Sequence, residues 1–109
     1  GEDSLFIRVN KNYEVYAPNV ISANGDKLND IFKLYGKASL KSIESLKIFD
    51  RWGELIYQGS NLDIYDSTQG WDGTFRGQAA MTGVYVYLAR VKFIDGKTLD
   101  KAGEFTLIK

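Results

Sequence analysis

The stretch GVYVYLARVKFI, residues 83–94, with the pair Asp95-Gly96 and the segment TLDKAGEFTLIK after it, limits this chain more than any other feature. Tyr85, Tyr87, Ala89, Val91 and Phe93 fall at every second position, the period at which a β-strand turns side chains to one face. The other face is apolar at Val84, Val86 and Leu88 and charged at Arg90 and Lys92, so the strand is expected to leave the core as it proceeds. Asp95-Gly96 is a favoured type I′ pair, with positive φ expected at both positions, and Thr98–Lys109 is then the partner strand.

The rest of the chain fits the same period. Ser4–Val9, Tyr13–Ala17 and Ile31–Tyr35 are short runs rich in β-branched and aromatic residues. In IESLKIFD, residues 43–50, Leu46 and Ile48 alternate with Ser45 and Lys47, and Arg51-Trp52-Gly53 is then the turn of a hairpin into Glu54–Gln58. Residues 37–45 have room for one helical turn, and Gly59–Gly83 reads as the longest irregular stretch. About seven short strands with turn chemistry between them predict an all-β fold, an antiparallel immunoglobulin-like β-sandwich, in one domain spanning 1–109. The Cys and Trp landmarks of antibody domains are missing.

Composition narrows function. Fourteen basic and fourteen acidic residues give zero formal charge, with no run able to neutralise phosphates, so nucleic acid is not an expected partner. No apolar run approaches the ~20 residues of a membrane span, which argues against direct membrane insertion. Nothing at the start reads as a signal peptide, and Gly1-Glu2-Asp3 in place of Met suggests a piece of something longer. With no Cys and no His there is no thiolate, imidazole base or His-ligated zinc, and most hydrolase mechanisms drop out.

Asn24, Asp26, Asn29 and Asp30, with Gly25 among them, put four side-chain oxygen donors in seven positions. That is a candidate Ca²⁺ site, although Leu28 falls where an EF-hand would place a ligand. The alternative is that these side chains cap local backbone groups around a Gly25 turn. Trp71-Asp72-Gly73 carries the same ambiguity, with Asp63 and Asp66 as further carboxylates; a glycosidase pair would need a fixed separation that nothing here sets. Arg51-Trp52 is either a cation–π recognition spot or a cover for the end of the core. The tyrosines of VYVYLA either stack sugars or pack inside.

The order PNVISANGDKLNDIF, LKIFDRWGELIYQ, GWDGTF, TGVYVYLARV, GEFTLIK over residues 17–109 resembles the type B C-terminal sorting domain of the Bacteroidetes type IX secretion system, known from gliding-motility and surface proteins. Ser22, Asn24, Gly25, Asp26, Asn29 and Asp30 fit the family's opening motif, with Ala23 and Lys27 departing from it. Arg51, Trp52, Gly53, Trp71, Asp72, Gly73, Gly83 and Tyr85 match its later motifs. The resemblance implies a non-enzymatic secretion signal on a large adhesin-type surface protein. It further implies transit through the periplasm, recognition by the outer-membrane translocon and a dedicated porin-like barrel, and delivery to the cell surface or beyond. Glu104, Phe105, Thr106, Leu107, Ile108 and Lys109 are then candidate partner-recognition residues, either offered for β-addition or built into the domain's own sheet. The rival reading is a calcium- or carbohydrate-binding adhesive module.

Overall fold

The computed structural model describes residues 14–22, 31–36, 39–66 and 68–108. The predicted strand Ser4–Val9, the cluster Asn24, Gly25, Asp26, Asn29 and Asp30, and Lys109 lie outside them. The described strands are β1 (Val15–Tyr16), β2 (Val20–Ser22), β3 (Tyr35–Gly36), β4 (Leu40–Phe49), β5 (Leu55–Asp63), β6 (Thr74–Phe75), β7 (Gln78–Ala79), β8 (Gly83–Phe93) and β9 (Thr98–Ile108). Five of them form the main sheet in the order β2-β9-β8-β4-β5, and β1-β3 and β6-β7 are small two-stranded sheets. The fold is all-β and sandwich-like, in keeping with an immunoglobulin-like arrangement. One pair departs from the antiparallel expectation: β2 runs parallel to β9, Ile21 opposite Leu107.

Strand β8 keeps its predicted inner face throughout. Tyr85, Tyr87, Ala89, Val91 and Phe93 are all buried, while Val84, Val86 and Leu88 are exposed. The expected departure from the core does not occur, because Arg90 and Lys92 share the solvent face with those three residues instead of marking an exit. Nor do the described residues 39–45 of the predicted helical turn form one. The buried Leu40, Ile43 and Leu46 are spaced by three, as on a helix, but register shifts between Leu40 and Ser42 and between Ile43 and Ser45 return each to the inner face of β4.

Turn chemistry explains the hairpins. Between β8 and β9 only Gly96 has positive φ (91°), Gly96 N donates to Phe93 O at 2.9 Å, and Phe93 N donates to Lys97 O at 2.8 Å. This is a wider loop closed by a left-handed glycine, and the type I′ expectation at Asp95-Gly96 is corrected. The β4–β5 connection repeats the design with Gly53 at φ 86°, Gly53 N on Asp50 O at 3.0 Å and Asp50 N on Glu54 O at 3.0 Å. Positive φ at both central residues occurs at Arg76 (55°) and Gly77 (80°), which join β6 to β7 inside the stretch read as irregular.

The inner face is covered by non-strand chain. Phe32 and Trp71 form an antiparallel bridge, Phe32 N donating to Trp71 O at 2.7 Å and Trp71 N to Phe32 O at 3.0 Å. Phe32 stacks on Phe105 at 4.0 Å between ring centroids, and Trp71 meets Tyr85 at 5.1 Å and Phe105 at 5.9 Å. Each such fully buried ring contributes roughly 1.5–3 kcal/mol of transfer free energy. Lys33, between Phe32 and Leu34, is itself buried; its ammonium donates to Ile64 O at 3.0 Å and Asp66 O at 2.9 Å, fastening the chain after β5 to this cover.

Candidate functional site

The turn after β4 is built around one carboxylate. Asp50 Oδ1 accepts from Trp52 N and Glu54 N, both at 2.9 Å, which fixes the loop and leaves the Trp52 side chain 73% exposed. The Arg51 guanidinium lies 5.0 Å from the Trp52 ring centroid, a cation–π pair, and reaches Thr82 O at 3.5 Å. Of the two readings of this pair, the structure supports the exposed one: Trp52 does not cover the core.

Trp71 takes the opposite role. It is 1% exposed, its indole Nε1 donates to Thr74 O at 2.8 Å, and Asp72 Oδ1 accepts from Thr74 N at 3.1 Å and the Thr74 hydroxyl at 2.6 Å. Gly73, at φ 83°, takes the Ala80 N hydrogen bond on its carbonyl at 2.8 Å. Tyr85 then joins this loop to β8: its ring packs on Trp71, and its hydroxyl donates to Met81 O at 2.6 Å. Burial pushes the Tyr85 phenol up, the Asp50 carboxylate adds to the rise, and the Arg51 guanidinium opposes it.

Three stretches far apart in sequence, Arg51-Trp52-Gly53, Trp71-Asp72-Gly73 and Gly83-Val84-Tyr85, are thus brought to one end of the sheet. A groove of about 330 Å³ opens there. Its apolar lining is Trp52, Ile56, Phe75, Met81 and Val84, and Asp50, Arg51 and Glu54 supply charge. Met81 is 68% exposed. Sequence reading missed Ile56, Phe75 and Met81; an isolated Met beside Gly83 was their only signal, and it is a faint one. Aromatic residues, Met and Arg are the types that enrich protein–protein interfaces.

The loop carboxylates named as further cation ligands accept hydrogen bonds in local turns. Asp63 Oδ1 accepts from Tyr65 N at 2.8 Å, and Asp66 Oδ1 accepts from Thr68 N at 2.9 Å and the Thr68 hydroxyl at 2.6 Å. Those bonds to Thr68, helped by Gln69, hold the Asp66 carboxyl below the usual carboxylate range. Among the described residues no three acidic side chains gather closely enough to hold a metal ion. The tyrosines of VYVYLA, Tyr85 and Tyr87, are core residues.

The terminal segment is an inner strand. Glu104 pairs with Val86, while Thr106, Leu107 and Ile108 lie between β8 and β2, except that Ile108 faces β2 alone. Phe105 and Leu107 are buried. Glu104 and Ile108 are exposed and Thr106 partly so.

A model of the CHU_C type IX secretion signal domain matches residues 15–107. The chain belongs to this family. The CHU_C match runs from β1 almost to the end of β9 and takes in all three converging motifs, and it starts and stops two residues earlier than the expected 17–109. A CHU_C domain is a sorting signal, which implies recognition by the type IX machinery and export to the cell surface or the extracellular space. No curated protein matches the chain. Among solved structures, the crystal structure of CopC from Methylosinus trichosporium OB3b is similar at a TM-score of 0.52 and 22% identity, covering 87% of this chain and 89% of that one. At that identity the likeness is one of fold.

Proposed function

We propose that this CHU_C domain is a non-enzymatic address on a large adhesin-type protein of the Bacteroidetes. It is read as a folded body, after transit through the periplasm, by the type IX translocon and a porin-like barrel partner. The observation that carries this reading is the extent of the family match: it spans the strands that build the core, so the signal coincides with a fold. The Trp52–Met81 groove and the outward side chains Glu104, Thr106 and Ile108 are the candidate contacts.

The test is surface export of a fluorescent passenger fused to residues 1–109, in a host with type IX machinery, against the same fusion ending at Gly103. The full domain is expected to be exported, and the shortened one, deprived of Phe105 and Leu107, neither to fold by circular dichroism nor to be exported. No export from the full domain would overturn the reading. The exposure of Trp52 and Tyr65 (80%) favours a second reading, a carbohydrate-binding adhesive module. A glycan array decides it, and calorimetric titration with Ca²⁺ decides whether Asn24, Asp26, Asn29 and Asp30 hold a cation.

A further inference from the structure

The main sheet has two long outer strand edges that no described strand pairs: that of β5, whose other edge is on β4, and that of the first part of β9, Thr98–Glu104, whose other edge is on β8 and where β2 reaches only Thr106–Ile108. Unpaired strand edges template association with other chains, and proteins guard them with charge, proline or bulges. The two edges differ. Thr98–Glu104 carries Asp100, Lys101 and Glu104 in seven residues, with Asp100 ion-paired to Arg90 at 2.7 Å. In β5, LIYQGSNL from Leu55 to Leu62 contains no charge and no proline, and its one guard is a bulge at Ile56, where the register with β4 shifts between Ile48 and Phe49.

The open part of β5 has definite ends. Asn61 sits at φ 52°, which breaks the regular strand, and beyond it Asp63 N is taken by Gln69 Oε1 at 2.8 Å. That leaves Leu55–Ser60, about 20 Å of edge at ~3.4 Å per residue. At its start, Glu54 and Ile56 also line the groove beside Trp52, so edge and groove form one continuous surface. Asp50 and Glu54 make that end acidic despite Arg51, which is stacked on Trp52.

We propose that the β5 edge, Leu55–Ser60, is a β-addition site that receives an extended strand of a type IX outer-membrane partner. The inference rests on the sorting-signal reading. A row of backbone donors and acceptors, regular here from Tyr57 to Ser60, is matched only by another extended chain, and alternate side chains then set specificity. The neutral edge calls for a strand uncharged over about six residues, the count left open here, and the acidic groove calls for a Lys or Arg at the strand's Trp52 end.

The experiment adds guards to the edge. Gln58→Glu with Ser60→Lys puts two opposite charges on exposed positions of β5, the first opposite Lys47. Thr98→Lys with Ala102→Glu puts the same charges on the already guarded stretch of β9. Both variants of the 1–109 domain are checked by circular dichroism and thermal unfolding and fused to the fluorescent passenger. Export lost with Q58E/S60K and kept with T98K/A102E, both folded, is the expected result. Export by folded Q58E/S60K at the parent level overturns the proposal, and failure of the unmodified fusion overturns the sorting-signal reading itself. Sedimentation of the 1–109 domain gives the remaining outcome: a dimer abolished by Q58E/S60K would assign the edge to a second copy and overturn the partner strand.

Discussion

The Arg51 guanidinium lies against the α-carbon of Gly83, so closely that a β-carbon at residue 83 would collide with it. Gly83 also has φ 143°, a value that residues with side chains rarely adopt. Two motifs far apart in sequence therefore meet in a close contact at a glycine.

Gly83→Ala is accordingly expected to cost about 1–3 kcal/mol from backbone strain, with the collision added. In an Arg51→Ala background the collision is gone and the strain remains, so the two changes should couple by about 0.5 kcal/mol or more in a double-mutant cycle. Urea unfolding of the four proteins measures both quantities. Strict additivity would mean that Arg51 swings aside freely.

Phe105 and Trp52 should separate stability from recognition. Phe105→Ala removes a ring stacked on Phe32 and packed by Trp71 and Tyr85, and large-to-small changes of this kind cost about 3–5 kcal/mol. Trp52→Ala changes an exposed ring and should move stability by no more than about 0.5 kcal/mol. Chemical denaturation checks the first two numbers, and the export assay asks whether W52A, still folded, delivers less passenger.

At high pH the inner tyrosines should govern unfolding. Burial raises Tyr57, with the Asp72 carboxylate adding to it; burial likewise raises Tyr85 and Tyr87 above the ordinary value of 10.0. Because the folded values exceed the unfolded one, this stabilisation is fully present below pH 10 and is lost as pH rises through the folded values. Phenolate absorbance should therefore show late-titrating tyrosines whose ionisation coincides with loss of the fold. Tyr87→Phe should move that transition to higher pH.

At low pH the sign reverses. The Asp66 carboxyl, held low by Thr68 and Gln69, contributes stability above its unfolded value of 3.8 and loses it as pH falls through the folded value. Asp66→Asn should lower the neutral plateau by this contribution and, with that loss already taken, flatten the acid limb of the stability profile below pH 3.8. An unaltered acid limb would assign acid sensitivity to other carboxylates.

Much of the fold could be read from side-chain period alone: the β8 inner face, both hairpins and the all-β class. What could not be read has physical causes. Leu40, Ile43 and Leu46 mimic helical spacing because bulges insert residues, and a bulge leaves no period to find. The Arg76-Gly77 turn was invisible because Arg is not a residue expected at positive φ. The parallel β2–β9 pair joins residues near opposite ends of the chain, which no local pattern reports. At the candidate site, Arg51, Trp52, Trp71, Gly83 and Tyr85 are named through the family resemblance, whereas the meeting of Arg51, Trp52 and Tyr85 at one groove, with Met81 and Ile56, depends on topology. Side-chain period had not distinguished the exposed Trp52 from the buried Trp71.

The parallel pairing of Ile21 with Leu107 also sets an order in time. Strand β9 lies between β2 and β8, so on a growing or threading chain the early strand β2 waits for nearly the whole sequence before β9, its neighbour among the described strands, is present. Contacts this distant along the chain are slow to form and arrive late. Completion of the sheet thus registers that the chain has been followed as far as Leu107, and a product broken off earlier lacks the strand that joins its two sides.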